Sequence, residues 1–187
     1  SAKVLGDFAQ GRERVMITPE DVLGFWLDEV GPKGWYEASD DLDETVRDRF
    51  LDAYHRACDG TNGLWLTYPS GTLAYIILMD QFPRNMFRDS PRAFESDAHA
   101  RAVADSAISA GHDASMTGDE RHFLYMPFMH SEVLTDQERC VDLFKQTGGE
   151  ESIKYAIEHR DIIARFGRFP HRNRALGRES TPDEIAF

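Results

Sequence analysis

Apolar side chains recur along this chain at intervals of three and four residues, the period of helices that bury one face. Thr18-Pro19-Glu20-Asp21 reads as an N-cap, a proline at the first helical position and acids in the first turn. Val22, Leu23, Trp26, Leu27 and Val30 follow on one stripe until Gly31-Pro32 stops it. Ser39 caps a second helix carrying Leu42, Val46, Phe50, Tyr54 and Ala57, closed by Asp59-Gly60. A third starts near Ser70 and is apolar on all sides to Asp80-Gln81, which places it at the centre of the molecule; Phe82-Pro83 is expected to end it. Pro91 opens an alanine-rich stretch to Gly111. Helices are then predicted over Thr117–Glu132, kinked at Pro127, over Thr135–Thr147 and over Glu150–Gly167. Thr181-Pro182-Asp183-Glu184 repeats the first start signal. No segment alternates β-branched and polar residues as a strand would, so more than half the chain should be helical, with no sheet.

The 187 residues suit one all-α domain, with residues 1–17 expected to be extended or poorly ordered. The longest apolar run, Leu73 to Met79, is too short to span a bilayer, and the N-terminus shows no secretory h-region. Two distant cysteines fit reduced thiols, so the expected location is cytoplasmic. A net charge of −12 argues against nucleic acid and anionic membranes as partners, since both repel such a field. No P-loop, GxGxxG, GxSxG or HExxH is present, so neither a cofactor nor a metal is expected. A metal site could recruit His130, Glu132, His159 and His171, but residues two apart on a helix point nearly opposite ways and the spacing is not that of a metal site. Cys58 shares the stripe of Phe50 and Tyr54 and is expected to be buried. Trp26, Trp35, Trp65, Met126 and Met129 read as core.

The strings DQFPRNMFR (80–88), FLYMPFMHSE (123–132) and HRDIIARFGRFPHRN with ALGR and STPDE behind it (159–184) resemble the bacterial family known as domain of unknown function 924. The resemblance covers most of the chain from Thr18. It implies antiparallel helix pairs in a right-handed, tetratricopeptide-like superhelix, and it implies no activity. The regular spacing of true tetratricopeptide repeats is absent, so groove binding of peptides does not carry over.

Charge adds the main functional clue. The residues before His159 hold 29 Asp and Glu against 15 Lys and Arg, whereas His159–Arg178 holds six Arg against one Asp. These arginines must meet anions, either the protein's own carboxylates or a ligand, and their planar forks suit carboxylate or phosphate. On a helical wheel His159 and Arg160 lie inside the apolar arc of the 150–167 helix, so both are expected to be buried. Arg160 then needs an acidic partner, for which Asp80 is the leading candidate, with Arg84 four residues on serving the same carboxylate. Arg168–Ser180, thirteen residues without clear periodicity, reads as an ordered functional loop.

Together these readings place an Arg/His-lined polar cavity where the 70–81 helix meets the 150–167 helix and the loop after it. Asp80, Arg84, Asn85, Arg160, Arg168, His171, Arg172, Asn173 and Arg178 are its candidate ligand-binding residues, and a small anionic molecule is the expected partner. In an enzyme version His130 or His159 acts as acid or base, oriented by Glu132 or Asp80. The rival reading is a helical-repeat interaction module whose arginines are structural.

Overall fold

Every element in the structure, a computed structural model that describes residues 15–187, is helical, and none of the described residues is in a strand. In chain order the helices are α1 (Pro19–Leu23), α2 (Gly31–Gly34), α3 (Asp40–Cys58), α4 (Pro69–Ile76), α5 (Phe82–Met86), α6 (Asp97–Ser109), α7 (Gly118–Met129), α8 (Leu134–Thr147), α9 (Glu150–Phe166), α10 (Asn173–Leu176) and α11 (Pro182–Ala186). The segment predicted over 1–17 lies outside the described residues except for 15–17, which carry no helix.

The start signals act as their chemistry dictates. Thr18, Thr117 and Thr181 each close a reciprocal capping box with the acid three residues on, and Ser39 Oγ accepts from the Leu42 amide. The expected stop at Phe82-Pro83 does not occur. The chain widens into π-helical turns over Ile77–Gln81 and continues through α5 to Met86. Proline 83 has no amide hydrogen for the Met79 carbonyl four residues back, and the Ser96 hydroxyl donates to that oxygen instead, at 2.6 Å. Satisfied from outside, the helix has no reason to end. A second π-helical stretch, Gly24–Val30, joins α1 to α2, with the Trp35 indole donating to the Trp26 carbonyl at 2.7 Å.

One apolar core runs through the described residues. Leu73, Ile76, Ile77 and Leu78 of the central run share that core with Phe50, Phe82, Phe123, Phe128 and Phe144. Neighbouring helices pack in sequence, α7 on α8 and α8 on α9, and α7 also touches α9 directly. That last contact positions the site. No helix of the described residues is long and apolar enough to cross a membrane.

Candidate functional site

Two short stripes face each other across the α7–α9 junction. His122, Met126 and Met129 are spaced four and three apart on α7, and Ser152, Tyr155 and His159 three and four apart on α9, so each trio shares a face. With Tyr36 from the turn after α2 and His130 at the end of α7, they border a cleft of two chambers. The inner one, about 280 Å³, is lined by Tyr36, His122, Met126, Met129, His130, Tyr155 and His159. The outer one, about 470 Å³, shares Tyr36, His122 and Tyr155 and adds Trp35, Asp119, Arg121, Phe144, Gly148, Glu151 and Ser152 among others.

The histidines are held in defined orientations. His130 Nδ1 lies 2.8 Å from Oδ1 of Asp80, whose side chain is 0% exposed. An ionised carboxylate only accepts, so Nδ1 carries the hydrogen and neutral His130 keeps its lone pair on Nε2. His159 Nδ1 donates to the Tyr155 carbonyl one turn back, at 2.8 Å, and likewise leaves Nε2 free. His122 differs: one ring nitrogen meets the Tyr36 hydroxyl at 2.5 Å and the other Ser152 Oγ at 3.2 Å, so both are occupied.

Burial sets the protonation states. Desolvation, reinforced by the Arg84 charge, lowers the proton affinity of His130 despite the pull of Asp80. Desolvation lowers that of His159 too, helped by His130 and Arg172, and also that of His122. All three therefore enter the neutral range as bases. Burial works to raise Asp80, but the charges of His130 and Arg84 overrule it and hold its carboxyl below the usual range. Gln81 donates to the second Asp80 oxygen at 2.7 Å, completing the support of that carboxylate. Desolvation pushes the Tyr36 phenol up to about 12, so it stays a hydroxyl.

The C-terminal arginines go elsewhere. Arg178 grips Glu132 through both terminal nitrogens, at 2.8 and 2.9 Å, and Glu132 also accepts from the Phe169 amide. Arg168 grips Glu184, which also caps α11 and accepts from Asn173. Arg84 forms a two-pronged pair with Asp97, and Asn85 donates to Asp43. Arg172 is buried between the rings of Phe94 and Phe169, 4.6 Å from each centroid, and donates to the His130 carbonyl. Its Nε has no partner among the described residues.

Several expectations need correction. Arg160 does not reach Asp80: it is only partly buried and bonds its neighbour Asp161, because at its position on α9 the flexible side chain turns outward to water. His130 takes the place at Asp80 that the wheel gave to Arg160. Arg168–Ser180 is not irregular throughout, since it contains a 3₁₀ turn at Pro170–Arg172 and α10. His171 is exposed beside Phe169. Cys58 is exposed at the end of α3 rather than buried. Of the three candidate catalytic residues, His130 and His159 share the inner chamber, while Glu132 belongs to the arginine network.

Tyr36, Arg121, His122 and Tyr155 join the site only in the structure, beyond the residues that the sequence points to. A signal existed in the three-and-four spacing of His122-Met126-Met129 and Ser152-Tyr155-His159, but it is the same spacing that marks core. Gly148 is also part of the design. A Cβ there would lie 2.7 Å from Cδ1 of Phe144 and 2.9 Å from its carbonyl oxygen, so only glycine lets the α8–α9 joint close this tightly on the outer wall. Among the described residues no group of three or more His, Cys, Asp and Glu has metal-holding geometry.

Fold and site together define an all-helical protein with a histidine-lined cleft between two packed helices. The chain belongs to the family described as "Bacterial protein of unknown function (DUF924)", whose model matches residues 22–187. It is similar to a solved structure from Agrobacterium tumefaciens, described as that of the protein of unknown function ATU0120, at 42% identity and a TM-score of 0.85. That match covers 90% of this chain and 94% of the other. No curated protein matches.

Proposed function

We propose that the protein binds a small molecule bearing an anionic group in the α7–α9 cleft and moves a proton on it with the Asp80–His130 pair. The observation that carries this reading is His130 itself. Its Nδ1 is committed to a fully buried carboxylate, and the residue lines a partly open chamber of about 280 Å³, room for a small ligand. Asp80 fixes the tautomer and stabilises the imidazolium formed when Nε2 takes a proton. His159 offers a second Nε2 from the facing helix, so a proton taken up by one imidazole can be returned while the other remains a base. Arg84 and Arg172 contribute positive potential behind them. A bound anion opposes that potential, so binding is expected to draw protons onto the histidines. The paired arginines of the C-terminal segment favour the structural reading of that cluster, and the cleft does not depend on them. Cys140, sealed in the core, and an unpaired Cys58 fit a reducing cytoplasm.

The test is acylation by diethyl pyrocarbonate near neutral pH, read by peptide mass spectrometry. His130 and His159, with Nε2 free, should react, and His122, bonded at both nitrogens, should lag. If His130 resists while exposed His171 is modified, its Nε2 is sealed and the acid–base role is lost.

A further inference from the structure

The outer chamber contains one feature that the proton chemistry leaves unused. Arg121 lines it, one residue before His122 on α7, and is partly buried. Its Nε is shielded from water and has no hydrogen-bond partner among the described residues, and no described carboxylate lies within ion-pair distance of its guanidinium. The contrast with Arg84, Arg168 and Arg178 is direct, because each of those holds a carboxylate in a two-pronged grip. A half-buried guanidinium with a shielded, unpaired nitrogen is costly unless something else completes it. It lines a cavity of about 470 Å³ that shares Tyr36, His122 and Tyr155 as a common wall with the chamber of His130.

The charges around it narrow the class of ligand. Asp119 and Glu151, in the first turns of α7 and α9, line the same chamber and are exposed. They offset the positive helix ends and repel a second negative charge. One cation in the wall and two anions beside it favour a singly charged anion over a dianion. Beyond the shared wall, Met126 and Met129 give the inner chamber an apolar, polarisable lining. Arg121 and His130 stand nine residues apart on one helix, an axial rise of about 13 Å and about half a turn around it, so a ligand that reaches both is elongated and passes over the His122 wall between the chambers.

Resting on the function proposed above, we infer that Arg121 anchors the carboxylate of a small monocarboxylic acid, whose uncharged body extends along α7 toward Met126, Met129 and His130. The guanidinium fork takes both carboxylate oxygens, which a lysine cannot reproduce. Arg121 is thus a binding and specificity residue, whereas Asp80 and His130 supply the chemistry.

Hexanoate, adipate and hexanamide, which share a chain length, serve as probes. Binding is followed by NMR of the His122 and His130 ring signals in the parent, in Arg121→Gln and in Arg121→Lys. Hexanoate should perturb both histidines in the parent, bind about tenfold or more weakly in Arg121→Gln, and lose part of its affinity in Arg121→Lys, as expected for loss of a charged fork. Hexanamide and adipate should bind the parent more weakly than hexanoate. If Arg121→Gln, folded by its amide spectrum, binds hexanoate as tightly as the parent, Arg121 is no anchor, even where acylation shows His130 to be an open base. Equal binding of hexanamide overturns the inference too, and so does failure of hexanoate to perturb either histidine in the parent. Loss of His130 acylation in a protein that still binds hexanoate through Arg121 would instead remove the proton chemistry and leave the anchor standing.

Discussion

The C-terminal arginine network and the α7–α9 cleft use the same kinds of residue to opposite ends. In the network Arg168 and Arg178 are matched to the protein's own carboxylates, and Asn173 fills remaining valences between them. In the cleft His130 and His159 each commit one nitrogen to the protein and leave the other open, and Arg121 forms no ion pair with a described carboxylate. Density of charge therefore marks where the chain is held together, and unfilled valence marks where it can act on something else. The two regions meet at the end of α7, where the His130 carbonyl accepts from Arg172 and Glu132, two residues on, holds Arg178.

The contrast breaks most readily at Asp80, which serves the cleft but is buried like a structural residue. Asp80→Ala leaves Arg84 and His130 without their shared anion and should cost about 3–5 kcal/mol, measured by urea unfolding. A loss near zero would mean that the carboxylate is not integral to the fold. Next comes Glu132→Ala, which strips three N–H donors of their acceptor and should cost about 1–3 kcal/mol, while leaving acylation of His130 unchanged. If that variant is as stable as the parent, the network is not structural.

A smaller effect is expected with pH. His122, His130 and His159 bind protons less readily in the folded chain than at their ordinary value of 6.5. As pH falls below that value the unfolded chain takes up protons first. The histidines' contribution is therefore full above 6.5 and drains away toward more acid pH. Carboxylates such as Asp80, lowered from 3.8, act in the same sense only at still lower pH. His159→Asn should flatten the loss of stability between neutral and mildly acid pH, measured by urea unfolding at a series of pH values. An unchanged slope would show that His159 titrates normally. Smallest of all, at neutral pH Tyr155→Phe should alter stability by no more than about 0.5 kcal/mol and Arg121→Gln should not lower it, because no described partner depends on their polar groups. A larger loss for either would move it from the cleft to the scaffold.

Helix starts were legible because capping is local: Thr18, Ser39, Thr117 and Thr181 need only the residues three positions on. Pro83 reads as a stop, and does not act as one, for the complementary reason. Its lost hydrogen bond is replaced by Ser96, distant in sequence, and no local rule reveals such a donor. The same distinction governs the site. His130 and His159 could be singled out as imidazoles in family-like strings, but which of their nitrogens stays free depends on Asp80, fifty residues away, and on the Tyr155 carbonyl. The wheel placed Arg160 inward because it treats a long cationic side chain as a point on its Cα, whereas the guanidinium swings out to Asp161. Arg121 went unnoticed because a single arginine in an acidic helix start looks like ordinary surface.

The tight joint at Gly148 separates two properties that usually change together. The outer wall lies where it does because position 148 carries a hydrogen and not a methyl group. A single codon change to alanine would press on Phe144 and reshape the entrance without altering any proton-bearing group. Under the proposed function, which molecules are admitted and what happens to them once inside would thus be inherited at different positions, and descendants of this chain could exchange one guest for another while keeping the same chemistry.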